Sequence, residues 1–251
     1  MKTLLLVLLL IATQAGAVII DIGDGTGHTS APSDDPGWAN VGIVNGATAV
    51  YIGDNWVLSA KHVGFGATTF EGVTYTPVPG TYTKIENIDL GMWQIYGNPR
   101  LPALWISEEG AMVGDEVLMV GHGKNRGAPT SCDGHDGYHW GAGNTMRWGE
   151  EEVMLVKPGK WMATEFQPDG SAAANGDSGG AVFIKVDGEW ELTGNKAFAV
   201  DLATYKQEIE EVIALPELSQ NQQMVIGVLF LLVIRLCLPR NRVSEEAITR
   251  N

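Results

Sequence analysis

Short apolar runs separated by turn-forming residues fill the middle of this chain and limit what it can fold into. Glycine supplies 32 of the 251 residues, nearly twice the usual share of about 7%, and it follows no repeat. Short runs bounded by Gly, Pro, Asn and Asp are typical of antiparallel strands. The clearest strand candidates are 48–52, 56–59, 72–75, 90–95, 116–120, 152–156, 181–186 and 190–193. We therefore predict an all-β fold, either a sandwich or a barrel.

One stretch near the end of this β-rich body has the periodicity of a helix. Between Leu202 and Leu215, apolar side chains recur at the spacing that places them on one helical face. They are Tyr205, Ile209, Val212 and Ile213. We expect a single helix to close the body.

The charge balance excludes one broad class of function. The formal net charge is −14 at pH 7, and a nucleic-acid-binding surface needs clustered basic residues instead. The hydrophobic fraction of 45% excludes general disorder. The two cysteines, Cys132 and Cys237, do not suggest a disulfide framework.

The N-terminus has the pattern of an export signal. Lys2 precedes an apolar run over residues 4–11, and the small residues Ala15, Gly16 and Ala17 follow. This order predicts a secretory signal peptide over residues 1–17, cut after Ala17. The alternative is an uncleaved membrane anchor. Residues 18–37 would then form a lead-in segment.

A second apolar run, residues 224–238, lies near the C-terminus. As a helix it would span about 22 Å at 1.5 Å per residue, and Arg235 can extend its charged end to the membrane interface. Arg240 and Arg242 follow and favour the cytoplasmic side. We expect residues 216–251 to be a sorting or transmembrane tail; the alternative is a buried core helix. Pro216-Glu217, the apolar run and the arginines together resemble the bacterial PEP-CTERM sorting signals.

Three segments of the body carry residues suited to nucleophilic catalysis. They are the apolar run that leads to His62, the run that contains Asp89, and the glycine-rich turn around Ser178. A serine hydroxyl is a weak nucleophile and needs a base within hydrogen-bond reach, and that base needs an orienting acid. Glycines around the serine let the backbone turn sharply and expose N–H groups, which can hold an oxyanion.

These residues resemble those of trypsin/chymotrypsin-type serine peptidases. The resemblance rests on Gly176-Asp177-Ser178-Gly179-Gly180 and on Ser59-Ala60-Lys61-His62, and it covers roughly residues 38–214. It implies two antiparallel six-stranded β-barrels and a C-terminal helix, with a peptidase domain over 38–215. The boundary between the barrels is expected near 99–107.

The resemblance also implies a role for each residue. Ser178 would be the nucleophile, and His62 the general base and then the acid. Asp89 would hold the histidine tautomer. The backbone N–H groups of Gly176 and Ser178 would form the oxyanion hole. Asp177 matches the acid that, in activated family members, pairs with a freed N-terminus.

Specificity and activation follow from the same comparison. Ala172 matches the base of the pocket for the residue before the cut, and the absence of an acid there predicts a preference for small or apolar residues. Ala197 stands where a serine usually supports the catalytic acid. Signal cleavage would leave Val18 at the N-terminus, which could act as the activating terminus; the alternative is an ordinary strand or tail.

The expected function is that of an exported serine endopeptidase, anchored in the cell envelope, that acts on proteins or peptides without a cofactor. The rival hypothesis is a catalytically silent trypsin-like module that binds peptides in the envelope. Two acidic or histidine-containing groups could instead hold a metal ion, although we predict polar loops and no metal site there. They are Asp21 with Asp24, and Asp133, His135, Asp136 and His139.

Overall fold

Fifteen strands and one α-helix lie within the part of the chain that the structure describes. This computed structural model describes residues 18–214, apart from 86, 133–134 and 197–198 and the side chains of 132 and 135. The strands are β1 (Ile19–Ile20), β2 (Val41–Val44), β3 (Ala47–Gly53), β4 (Trp56–Ser59), β5 (Thr68–Phe70), β6 (Val73–Tyr75), β7 (Thr83–Ile85), β8 (Leu90–Gln94), β9 (Glu116–Cys132), β10 (His135–Lys157), β11 (Trp161–Thr164), β12 (Ser171–Ala172), β13 (Ala181–Val186), β14 (Glu189–Asn195) and β15 (Ala199–Asp201). Helix α1 (Leu202–Ala214) follows them, and a 3₁₀ turn, Trp38–Asn40, precedes β2. The prediction of an all-β fold closed by one helix is confirmed.

The first sheet is antiparallel and rolls back on itself. Its strand order is β6-β5-β2-β3-β4-β8-β7. An isolated bridge joins Pro77, just after β6, to Ile95, just after β8, and the Val78 N–H donates to the Gln94 carbonyl over 2.8 Å. These contacts place the chain just after β6 beside the end of β8, which lies at the other side of the sheet. The six strands from β6 to β8 therefore form a barrel-like sheet, with β7 added as a seventh strand.

The second sheet is a closed barrel. Its order is β10-β11-β15-β14-β13-β9, which is the six-stranded barrel predicted for this half. Strands β9 and β13 are buried on both faces where they pair, and Val117, Met119 and Val182 pack in one apolar cluster. Leu118, Val120 and Phe183 belong to a second cluster, which also contains Val50 and Leu58 of the first sheet. On α1, Ile209 is fully buried, and its neighbours on the predicted face pack against the same core.

The β9–β10 hairpin is much longer than the sequence pattern predicts. The predicted strands covered only 116–120 and 152–156, because the glycines between them suggested loops. Two of these glycines instead lie where the paired backbones approach closely: a Cβ on Gly127 would stand 2.6 Å from the His139 carbonyl oxygen, and one on Gly141 2.7 Å from that of Arg126. Register shifts near Trp140 mark the same region as bulged.

The segment that follows the predicted cleavage site is part of the core. β1 pairs antiparallel with β12, with Ile19 opposite Ala172. Val18, Ile19 and Ile20 are all buried. Arg126, from the β9–β10 hairpin, donates to the Ile20 carbonyl over 3.0 Å. The predicted lead-in over 18–37 therefore begins as a strand.

Two of the predicted segments lie at the ends of the chain. The predicted signal peptide, residues 1–17, and the predicted tail, residues 216–251, lie outside the described residues. The chain divides into two units, 1–213 and 214–251, and the sheets described above belong to the first. In the described ranges, no helix is long and apolar enough to cross a membrane.

Candidate active site

The pairing of β4 with β8 brings His62 and Asp89 together. These strands are antiparallel, with Ser59 opposite Gly91. The chain leaves β4 into the turn that carries His62, and it enters β8 from the turn that carries Asp89. The Lys61 N–H donates to the Asp89 carbonyl over 3.3 Å, so the two turns are also joined by backbone. The hydrogen-bonding pattern of one strand pair thus sets the distance between the two side chains.

Two hydrogen bonds connect His62 to the Asp89 carboxylate. The His62 backbone N–H donates to Oδ1 over 2.9 Å, and Nδ1 lies 2.5 Å from Oδ2. An ionised carboxylate only accepts hydrogen bonds, so Nδ1 must carry the proton. In the neutral ring, Nε2 is then unprotonated and free to act as a base. The histidine side chain remains 49% exposed, which leaves its outer edge open to a substrate.

The turn around Ser178 needs glycine at its tightest point. Gly179 has φ +87°, a conformation that side chains with a Cβ rarely adopt. A Cβ there would stand 2.1 Å from Ser59 Oγ and 2.2 Å from the Thr48 carbonyl oxygen. The serine turn therefore lies directly against the end of β4, the strand that leads to His62.

Thr48 joins this turn to the first sheet, a contact that the sequence analysis missed. Its backbone N–H donates to the Ser178 carbonyl over 3.0 Å. Its hydroxyl donates to the Gly176 carbonyl over 2.8 Å and accepts from the His122 N–H over 2.9 Å. Thr48 is fully buried in β3. Thr48 lies in an apolar strand, and nothing in the local pattern distinguishes it from an ordinary strand threonine.

Two carbonyl groups of the turn accept hydrogen bonds, and these bonds set the direction of the N–H group that follows each carbonyl. The Asn175 carbonyl accepts from the Lys124 N–H over 2.9 Å, and the Asp177 carbonyl accepts from the Gly180 N–H over 2.6 Å. In a trans peptide the C=O and the following N–H point in opposite directions. The N–H groups of Gly176 and Ser178 are therefore turned away from these partners. Neither donates a hydrogen bond within the described residues.

The three predicted catalytic residues are placed in one region, with one contact absent. Ser178 is 5% exposed. Among the hydrogen bonds of residues 18–214 that the structure describes, none joins its hydroxyl to the His62 ring. Catalytic hydrogen bonds of this kind are often long before substrate binds and tighten afterwards. The structure thus joins His62 to Asp89 directly, while Gly179, the neighbour of Ser178, packs against the end of the strand that leads to His62.

The predicted specificity residue lies in a short strand beside a buried acid. Ala172 is half-buried in β12, and Ala174 is fully buried. The N–H of Ser171, the residue before Ala172, donates to Glu151 Oε1. Glu151 lies on β10 and is 5% exposed, and burial raises its pKa to about 7. No local sequence pattern marks this carboxylate as part of the site, because it comes from a distant strand.

Asp177, the residue before Ser178, forms a buried ion pair with Lys196. Asp177 Oδ2 lies 3.3 Å from Lys196 Nζ, and the two side chains are 0% and 7% exposed. Burial raises the pKa of the Asp177 carboxyl to about 6 and lowers the pKa of the Lys196 ammonium, and the attraction between the two opposes both shifts. Lys196 was not predicted to be near the site.

The two candidate metal-binding groups and Ala197 are the remaining predictions from the sequence. The Asp21 carboxylate accepts from the Tyr138 hydroxyl over 2.5 Å and from the Asp169 N–H over 3.0 Å, so both its oxygens already serve protein contacts. Asp133 of the second acidic group lies outside the described residues, as does Ala197. Among the side chains that the structure describes, there is no group of three or more His, Cys, Asp or Glu placed to hold a metal ion.

Comparisons with known proteins find matches among solved structures. No protein-family model matches the chain, and no curated protein matches it. Among solved structures, the crystal structure of the inactive form of Rv3671c protease is similar, with a TM-score of 0.45 and 16% sequence identity. The similarity covers 69% of this chain and 89% of that one. At such identity, the roles of individual residues must be argued from their geometry.

Proposed function

We propose that this protein is a serine endopeptidase with Ser178, His62 and Asp89 as its catalytic triad. The observation that carries the proposal is the double hydrogen bond from His62 to Asp89, over 2.9 and 2.5 Å. It fixes both the ring orientation and the tautomer that a general base needs. A purely structural histidine needs neither a free Nε2 nor a serine-bearing glycine-rich turn packed against the strand that leads to it.

Each step of the proposed reaction uses a group already described. The Ser178 hydroxyl attacks the peptide carbonyl and transfers its proton to His62 Nε2. The oxyanion that forms accepts hydrogen bonds from the N–H groups of Gly176 and Ser178. His62 then protonates the leaving amine, which yields an acyl-enzyme. Water, deprotonated by His62, releases the acid and restores the serine.

Substrate preference and location belong to the same proposal. Ala172 and its alanine neighbours support a pocket for small or apolar residues before the cut. Glu151 lies close enough to this strand that basic residues belong in any substrate panel. The signal-like N-terminus and the apolar tail support export and anchoring in the cell envelope, with proteins or peptides as substrates.

Peptide hydrolysis by the full chain, purified in detergent, tests the proposal. The panel would be fluorogenic peptides with Ala, Val, Leu, Glu or Lys before the cut, and the controls Ser178→Ala and His62→Ala. We expect turnover that both variants abolish, fastest with Ala or Val. Peptide binding with no turnover by the wild type would instead identify the silent binding module.

A further inference from the structure

The stability of the core does not by itself explain the buried ion pair between Asp177 and Lys196. Moving two charges out of water costs several kcal/mol each, and a hydrophobic pair of similar volume is often as stable. Asp177 and Lys196 are nevertheless both buried, beside the proposed nucleophile. Glu151 is a second carboxylate that interacts with Lys196. The ion pair therefore calls for a role other than stability.

Lys196 holds the serine turn with its backbone as well as its side chain. Its N–H donates to the Gly180 carbonyl over 2.9 Å, and its carbonyl accepts from the Gly179 N–H over 2.5 Å. Its ammonium meets Asp177, which lies between the two oxyanion donors in sequence. One residue thus fixes the turn on both sides of Ser178.

The Asp177 carboxylate has no room to move elsewhere. Its Oδ1 lies against Gly121 of β9, where a Cβ would stand only 2.0 Å away. That oxygen has no hydrogen-bond partner in the described part of the chain, so Lys196 is the one described cation that neutralises Asp177. The peptide bond that follows Asp177 carries the Ser178 N–H, so a fixed Asp177 also helps to hold this proposed oxyanion donor in place.

We infer, on the basis of the proposed function, that Lys196 is a positioning residue whose buried ammonium anchors Asp177 and so preforms the oxyanion hole. The cation that stabilises the active turn is then Lys196, the residue that directly follows β14. Val18, the residue expected at the mature N-terminus, packs in an apolar cluster with Ile20 and Met119. On this inference the turn needs no freed N-terminal amine, because Lys196 already supplies the cation.

The test compares Lys196→Met with a matched control in the full chain. Lys206→Met on α1 removes another largely buried ammonium, paired with Glu108, away from the serine turn. We expect Lys196→Met to lower kcat about 100-fold or more, the usual cost of losing an oxyanion donor, with KM within about threefold. Lys206→Met should leave both constants near wild type. A Lys196→Met variant with wild-type kcat would overturn the inference and leave an N-terminal amine as the candidate cation.

A second variant separates positioning from folding. Lys196→Met leaves an unpaired buried carboxylate and can unfold the chain, whereas Asp177→Asn/Lys196→Met removes both charges and should fold. We expect the double variant to keep its thermal midpoint while kcat stays about 100-fold low. Recovery of kcat would mean that the pair serves folding alone and would overturn the inference.

The backbone amide resonances of Gly176 and Ser178 distinguish failure of this inference from failure of the proposed function. They report on the turn whether or not the wild type hydrolyses peptides. We expect them to shift in both Lys196 variants and not in Lys206→Met. Unchanged resonances would overturn the role of Lys196, whereas an inactive wild type with shifted resonances would refute only the peptidase proposal.

Discussion

Replacing Gly179 by alanine tests how tightly the serine turn is packed on the first sheet. The new Cβ would stand 2.1 Å from Ser59 Oγ and 2.2 Å from the Thr48 carbonyl oxygen. The hydroxyl can rotate away, but the carbonyl belongs to β3 and cannot. A left-handed residue with a Cβ costs about 1–2 kcal/mol, and overpacking adds about 1–3 kcal/mol. We expect the free energy of unfolding to fall by about 2–5 kcal/mol.

Gly188→Ala provides the matched control. Gly188 has φ +91°, nearly that of Gly179, but a Cβ added there would meet nothing within 4 Å. It should therefore cost only the conformational part, about 1–2 kcal/mol. Urea unfolding followed by tryptophan fluorescence measures both variants. If the two free energies of unfolding agree within about 1 kcal/mol, the close packing of the serine turn on β3 is wrong.

Three further substitutions test other parts of the account. Asp89→Asn should lower kcat by about 10⁴-fold, since the histidine loses its enforced tautomer; a loss under tenfold in peptide hydrolysis would contradict the triad. Burial raises the pKa of Glu151 from 4.5 to about 7, so the folded state holds this proton more tightly than the unfolded chain does. The free energy of unfolding should therefore fall by at most about 3 kcal/mol as the pH rises through the range between these two pKa values. Urea unfolding at pH 4.5 and 7.5 measures this fall in the free energy of unfolding, and Glu151→Gln should lose most of the part that Glu151 causes. If the variant shows the same fall as the wild type, the raised pKa of Glu151 is wrong. Arg126→Ala removes hydrogen bonds to the Ile20, Asp21 and Gly23 carbonyls, so amide hydrogen exchange over 18–23 should speed at least tenfold; equal rates would show that Arg126 does not hold this segment.

The sequence predicts the short strands and the helix well because their signals are local. Residues 181–186 are a mostly apolar run that follows a glycine-rich turn and precedes Asp187 and Gly188, and β13 occupies the same range. Helix α1 likewise follows the periodicity between 202 and 214. His62, Asp89 and Ser178 could be chosen as candidate site residues because each stands in a distinctive local segment.

The parts that escaped prediction depend on contacts between distant segments. The β9–β10 hairpin looked like loops because Gly127 and Gly141 signal turns, although they serve close backbone contact. Thr48 and Lys196 carry no local mark of their role, because each acts on a turn that is remote in sequence. The burial of Glu151 likewise follows from closure of the second barrel, which no short pattern describes.

Labelling of Ser178 by a fluorophosphonate, read as intact mass, tests most directly whether the proposed triad is assembled. The full chain and a Ser178→Ala control would be treated side by side at neutral pH. The account predicts a single adduct on the wild type and none on the control, because only a serine activated by His62 and supported by the oxyanion donors reacts readily. A folded wild type that forms no adduct would contradict an assembled triad.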